Sequence, residues 1–219
     1  MTGGGVANRE PRDRLVLAAI RHVATEGWTG AAIRAGAAER GIDAIDAERI
    51  LRGGPRALFR AFNDWADERM AEAVGEASRS RLHERVEIAV LARLDALLPY
   101  REAVARGVAF AALPRNAGLG FACHCRTVDR IWRASGDRSH DFSFYTKRAL
   151  LAGILAATAL VWLEDRSEDG AVTRAFLRRR LADVLLIRKL RARADRLSDS
   201  LSGLLRRPSV FSRGRRPVP

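Results

Sequence analysis

Gly27–Met70 reads GWTGAAIRAGAAERGIDAIDAERILRGGPRALFRAFNDWADERM. The Ala-rich stretch from Gly30 to Arg40 predicts a short helix, stopped by Gly41. A second short helix is predicted over Asp46–Arg52, with Asp46 as its N-cap. Gly53-Gly54 breaks it, and Pro55 then takes the first position of the next helix, where an absent N–H is tolerated. That helix, Pro55–Ser78, repeats apolar residues at Leu58, Phe59, Phe62, Trp65, Ala66 and Met70, the spacing of one buried face. Just upstream, Arg12–Glu26 sets Leu15, Ala18, Ala19, His22 and Val23 on one face and ends at Gly27. Two short helices, a break and a long helix predict a helix-turn-helix head that opens a larger helical body.

The rest of the chain continues as helices, with no strand-like alternation and no internal repeat. Leu82–Leu98 stops before Pro99, Tyr100–Leu113 stops before Pro114, and Arg115–Ala134 carries the sequence GLGFACHC. Ser135, Gly136 and Asp137 read as a turn before a long apolar helix, Asp141–Glu164. Ser167 is placed to cap a last long helix reaching Arg193, with Glu168 and Asp169 favourably set in its first turn. Asp195–Arg207 then repeats Leu197, Leu201, Leu204 and Leu205 on one stripe, and a Pro/Arg-rich tail follows from Pro208. The predicted fold is all-α: a TetR-like helical bundle with a degenerate N-terminal helix-turn-helix head and a C-terminal amphipathic helix. Its expected divisions are a disordered start (1–11), the head (12–78), the body of the bundle (79–193), and a basic amphipathic helix with tail (194–219). The TetR likeness is one of layout, and layout does not fix function.

The chain has 219 residues, 47% of them hydrophobic and 30% charged, enough for a sizeable core. Its net charge is +13, but the excess is uneven. Arg174–Pro219 holds 14 basic residues against Asp183, Asp195 and Asp199, so a near-neutral body carries a basic arm. Two cysteines fit a reducing compartment and exclude a disulfide scaffold. Met1–Arg14 has no apolar leader region, so a cytoplasmic protein is expected. The longest uncharged apolar run, Ala149–Leu163, has 15 residues where spanning needs about 20. It reads as a core helix or an interfacial one.

A DNA-reading helix needs polar or basic side chains near its start. The candidate helix offers Ala44, Ile45, Asp46, Ala47 and Glu48, and its two acids would face phosphates, so DNA binding is not expected. Nucleophile, phosphate-loop and metalloprotease motifs are lacking, and the chain reads as a binding module with neither an active site nor a cofactor of its own. Cys123-His124-Cys125 is metal-like in composition, but adjacent helical residues point about 100° apart and would not close on one ion. Gly118–Ala122 and Ala149–Ala159 are rich in Gly and Ala, which either pack closely or leave a slot. Phe110, Gly118, Phe121, Leu155 and Trp162 are the candidate lining of such a slot, and Trp132, Phe142, Phe144 and Phe176 lie around it. The Leu197, Leu201, Leu204 and Leu205 stripe, flanked by Arg193, Arg196, Arg206 and Arg207, suits an anionic membrane surface, a second subunit, or the chain's own bundle.

Gly136–Leu181 reads GDRSHDFSFYTKRALLAGILAATALVWLEDRSEDGAVTRAFLRRRL. It resembles the Coq-nine family of lipid-binding accessory proteins of ubiquinone biosynthesis. That family pairs Gly-Asp and a polar spacer with Asp-Phe-x-Trp-Tyr-Thr-Lys/Arg-Arg, then a small-residue apolar helix ending in Asp before Ser. GWTGAAIRAGAAERGID, GGPRALFRAFNDWADERM and RLHERVEIAVLARLDAL are similar too, so the resemblance covers about residues 12–205. It implies a TetR-like fold, a homodimer, and a non-enzymatic protein that binds isoprenoid lipids, including quinone intermediates. It further implies a C-terminal helix on the membrane and presentation of substrate to the di-iron demethoxyubiquinone hydroxylase. Ile131, Trp132, Phe144 and Tyr145 match the family's hydroxylase-facing patch, and the Leu197–Leu205 stripe with Arg196 and Arg206 matches its membrane helix. Phe144 stands where a Trp is usual, Ser143 where Asn is common, and Gly170 where an aromatic is frequent. The alternative function read from the head layout and the charge is a TetR-type repressor with an apolar effector.

Overall fold

The computed structural model describes residues 9–77, 80–136 and 143–184, and every regular element among them is helical. The elements are α1 (Arg9–Glu26), α2 (Gly30–Glu39), α3 (Ala44–Ile50), α4 (Pro55–Glu76), α5 (Leu82–Leu97), α6 (Arg101–Ala112), α7 (Pro114–Ala134) and α8 (Ser143–Glu164). A ninth helix, α9, is described over 171–184. The chain divides into one compact unit of residues 1–179 and a second of 180–219, of which 180–184 are described and helical.

Helices α1, α2 and α3 make the head. The helices α1 and α2 pack closely because Gly36 has no side chain: a Cβ there would sit 2.4 Å from the Ala19 nitrogen. Leu15, Val16, Ile20 and Val23 of α1 are buried, the face the spacing predicts with Val16 and Ile20 added. His22, expected on that face, instead turns outward to Glu39, with Nε2 3.1 Å from the carboxylate. Helix α3 starts earlier than predicted. Asp43, not Asp46, is the cap: its carboxylate accepts the Ile45 N–H at 2.7 Å, because an oxygen one step before the helix reaches an otherwise orphaned donor. Asp46 pairs with Arg49 instead. Gly53 and Gly54 end α3 with φ of +106° and +58°, conformations that side-chain-bearing residues avoid, and Pro55 opens α4 as expected.

The head joins the body through Trp28, on the α1–α2 turn. Its indole N–H donates to the Ala103 carbonyl of α6 at 3.1 Å. Its ring packs on Phe59 (5.1 Å between centroids), Phe62 and Phe110. Gly107 makes room for this cluster, since a Cβ there would meet Trp28 at 3.3 Å. The segment Leu98–Tyr100, read partly as the end of α5, is a separate 3-10 turn around Pro99.

Two further expectations change, at residues 9–11 and at Ser167, and the apolar run left open as a core or interfacial helix has one outward face. Residues 9–11, read as part of a disordered start, belong to α1. Helix α8 is not buried all round. Leu151, Ile154, Leu155, Thr158 and Trp162 face the bundle, while Leu150 and Leu160 face out. Only 28% of the window in Tyr145–Glu164 is buried, and this stretch is long and apolar enough, by length and composition, to cross a membrane. The last long helix begins at 171, not at Ser167. Asp169 and Gly170 take φ of +52° and +64° in a 3-10 turn that Ser167 precedes. Asp165 ties this corner: its carboxylate accepts from the Ser167 N–H and hydroxyl at 2.8 and 2.5 Å, and from the Thr173 N–H and hydroxyl at 2.8 and 2.6 Å. Hydrogen bonds from Ser167, then from Thr173, hold its pKa well below the usual carboxylate range.

Candidate functional site

Helices α4, α5, α6, α7 and α8, with Trp28, enclose a cleft of about 250 Å³. Its walls are mostly apolar: Trp28, Phe59, Phe62, Leu94, Leu97 and Leu155 with small residues between them. Gly120 of α7 lies against Ala111 of α6 so closely that a Cβ would come within 2.8 Å of the Ala111 methyl. Space of this size lined by hydrocarbon holds an apolar group as large as a benzene ring.

One part of the wall is polar. Asp67 is fully buried and takes Arg93 Nε at 2.8 Å and the Thr127 hydroxyl at 2.9 Å. Arg93 also donates from Nη2 to Asn63 Oδ1 at 2.8 Å. Asn63, Arg93 and Thr127 line the cleft beside Cys123 and His124. A buried carboxylate is costly without partners, and these satisfy it. His124 Nε2 lies 3.0 Å from the Ala152 carbonyl of α8. The Cys123 thiol, in contact with Arg126 Nη2 at 3.2 Å, has its pKa raised because burial disfavours the thiolate more than Arg126 favours it.

The structure sorts the predicted lining residues sharply. Leu155 lines the cleft. Phe110 does not, but its ring stacks on Trp28 at 5.8 Å and packs on Phe59, behind the wall. Trp162 is buried elsewhere, under the Arg101 guanidinium at 4.8 Å, beside a second hollow of about 300 Å³ between α5 and the α8–α9 corner. Gly118 faces open space, and Phe121 is 71% exposed on the outside of α7. These two departures share a cause. Helix α7 turns Leu119, Gly120, Cys123 and Thr127 inward, so positions 118 and 121, about 100° away on each side, point out.

The predicted partner residues also divide. Tyr145 is 74% exposed. Trp132 is half-buried with the Lys147 ammonium 5.8 Å from its ring centre, which sets the end of α7 beside the start of α8, as does Arg148 on Asp129 at 2.8 Å. Ile131 is fully buried, so it supports this edge from within and offers no surface. Helix α8 includes Phe144, whose side chain lies outside the described residues. So do Arg196, Leu197, Leu201, Leu204, Leu205 and Arg206. Arg174 and Arg178, counted with the basic arm, pair with Asp95 and Glu87 of α5 at 3.4 and 2.7 Å. Among the described residues no three His, Cys, Asp or Glu side chains gather as metal ligands, and Cys123 is buried while Cys125 is exposed.

Sequence reading missed the polar wall. A signal existed: Asn63 and Asp67 stand four apart beside the apolar positions of α4, where a solvated pair would be set on the opposite face.

Helix order, head and central cleft together define an all-α protein of TetR-like fold. A TetR transcriptional regulator from Nitrosomonas europaea superposes with a TM-score of 0.64, at 23% identity, over 79% of this chain and 97% of that one. The COQ9 family model matches residues 117–188. The bovine protein named "Ubiquinone biosynthesis protein COQ9, mitochondrial" is 33% identical over 180 residues, 78% of this chain and 56% of its own. Its human counterpart is 31% identical, over 78% and 57%. The chain thus carries a COQ9 family-model domain and is similar to COQ9 proteins over most of its length. It spans a little over half the length of these curated relatives.

Proposed function

We propose that this protein acts in ubiquinone biosynthesis without performing the chemistry. It takes an isoprenoid quinone intermediate from the membrane and presents it to the di-iron demethoxyubiquinone hydroxylase. The observation that carries this reading is the cleft: about 250 Å³, walled by aromatic and small side chains, in a chain that matches the COQ9 family model. A polyisoprenoid tail is insoluble, so a protein that shelters the ring while the tail stays near lipid makes the ring available to a second protein. Chemistry then belongs to the partner's metal centre.

The exposed Tyr145, in the first turn of the helix whose Lys147 meets the Trp132 ring, supports a docking edge for the hydroxylase, with Phe144 added on sequence grounds. The Leu197–Leu205 stripe with Arg196 and Arg206 is the proposed membrane foot. The outward Leu150 and Leu160 of α8 and the exposed Val172 of α9 support a homodimer through that face. The relatives' names carry the word mitochondrial. This chain is read as a peripheral protein on a quinone-bearing membrane, its body in the adjoining aqueous compartment. A repressor reading has weaker support, because α3 presents Ile45 at 72% exposure and an Asp46 already paired with Arg49.

Native mass spectrometry after detergent-free purification tests the proposal. Adducts with the mass of an isoprenoid quinone or its precursor are expected. Recovery of only the bare chain from cells that make ubiquinone would overturn it.

A further inference from the structure

We infer that the cleft is polarised to take a hydroxylated aromatic ring, with His124 accepting the ring's O–H and Arg93 donating to its oxygens. This deepens the proposed quinone-intermediate reading and rests on it. The Ala152 carbonyl can only accept, so the hydrogen in its 3.0 Å contact with His124 sits on Nε2. In the neutral ring that leaves the lone pair on Nδ1, and no described residue bonds to it. Arg93 is fixed through Nε by Asp67 and through Nη2 by Asn63, which leaves both Nη1 hydrogens without a protein partner among the described residues. Both side chains line the cleft.

In this reading one acceptor and one rigid donor face a space that Trp28, Phe59 and Phe62 also line. A phenol or hydroquinone satisfies both groups, and its ring meets aromatic faces. An ionised fatty acid does not: it has no hydrogen for Nδ1, and it would bring a second carboxylate close to Asp67. The pairing also sets orientation, with the oxygenated edge of the ring against α4, α5 and α7 and any alkyl substituent toward the apolar remainder.

The test uses the full chain, stripped of lipid, titrated calorimetrically with 4-hexylphenol, 4-hexylanisole and octanoate. The anisole keeps the ring, the tail and an acceptor oxygen but has lost the O–H. The phenol is expected to bind about five- to tenfold more tightly than the anisole, the range of one net hydrogen bond. His124→Phe is expected to erase that preference, so that phenol and anisole bind alike. His124→Gln, whose amide both donates and accepts, is expected to keep part of it. Equal affinity of the two ring compounds for the parent chain, or octanoate binding as tightly as the phenol, would overturn this inference and leave the apolar cleft standing. Loss of both ring compounds in a stably folded His124→Phe would assign His124 to shape alone and would also overturn it. Failure of every probe to bind the parent chain would overturn this inference and the proposed function together.

Discussion

Replacing Asp67 by Ala tests the buried network that forms the cleft's polar wall. Asp67 is fully buried, and its main partner, Arg93, has a side chain only 12% exposed. Removing the carboxylate leaves a guanidinium facing low dielectric, with Asn63 as its one neutral acceptor. It also strips the Thr127 hydroxyl of its acceptor on Asp67, leaving it the weaker contact to the Cys123 carbonyl at 3.2 Å. Breaking a buried pair on one side costs about 3–5 kcal/mol. For a chain of this size, each kcal/mol lowers the melting temperature by roughly 2–4 °C, so a fall of about 6–20 °C is expected. Urea unfolding followed by far-ultraviolet circular dichroism gives the free energy, provided the slope with urea is unchanged. The pair Asp67→Leu with Arg93→Met removes both charges at similar volume and is expected to recover most of the loss, since desolvation largely cancels the attraction in buried pairs. A loss under about 1 kcal/mol for Asp67→Ala would refute the claim that Arg93 depends on it. So would a double variant no more stable than the single one.

Three other outcomes are expected. Asp165→Asn should cost about 1–3 kcal/mol, because four donors converge on a charged acceptor. The folded pKa of Asp165 is depressed below the ordinary 3.8, so its contribution is present at neutral pH and lost as acid protonates the unfolded carboxyl first. Parent stability should thus fall more steeply than that of the Asn variant as pH drops through about 4, and parallel pH profiles would count against this. Ala156→Trp fills the cleft from an exposed lining position, so bound lipid should vanish from native mass spectra while stability stays within about 0.5 kcal/mol. Tyr145→Ala should weaken hydroxylase capture by about 2 kcal/mol in Kd terms with an unmoved melting temperature, and a collapse of that temperature would make Tyr145 a core residue.

Much of the fold is legible in the sequence because helix signals are local. Gly27, Gly41, Gly53-Gly54, Pro55 and Pro114 punctuate the chain at the observed boundaries, and a 3.6-residue spacing names the buried face of α4. The all-α class, the head layout and the family motif follow from such runs alone. Boundaries slipped where two candidate caps stand close together, as Asp43 and Asp46 do: Asp43 takes the Ile45 N–H, and the helix starts there.

The site is another matter. Asp67 lies 26 residues from Arg93 and 60 from Thr127, and nothing local marks the three as a group. Whether Phe121 or Gly120 faced the cleft turned on a rotation of about 100° of α7, set by how Ala111 and Gly120 meet. Periodicity shows that a helix has an apolar face. Only the packing of α7 against its neighbours decides what that face covers, because contact between distant segments is a property of the assembled bundle and not of any stretch within it.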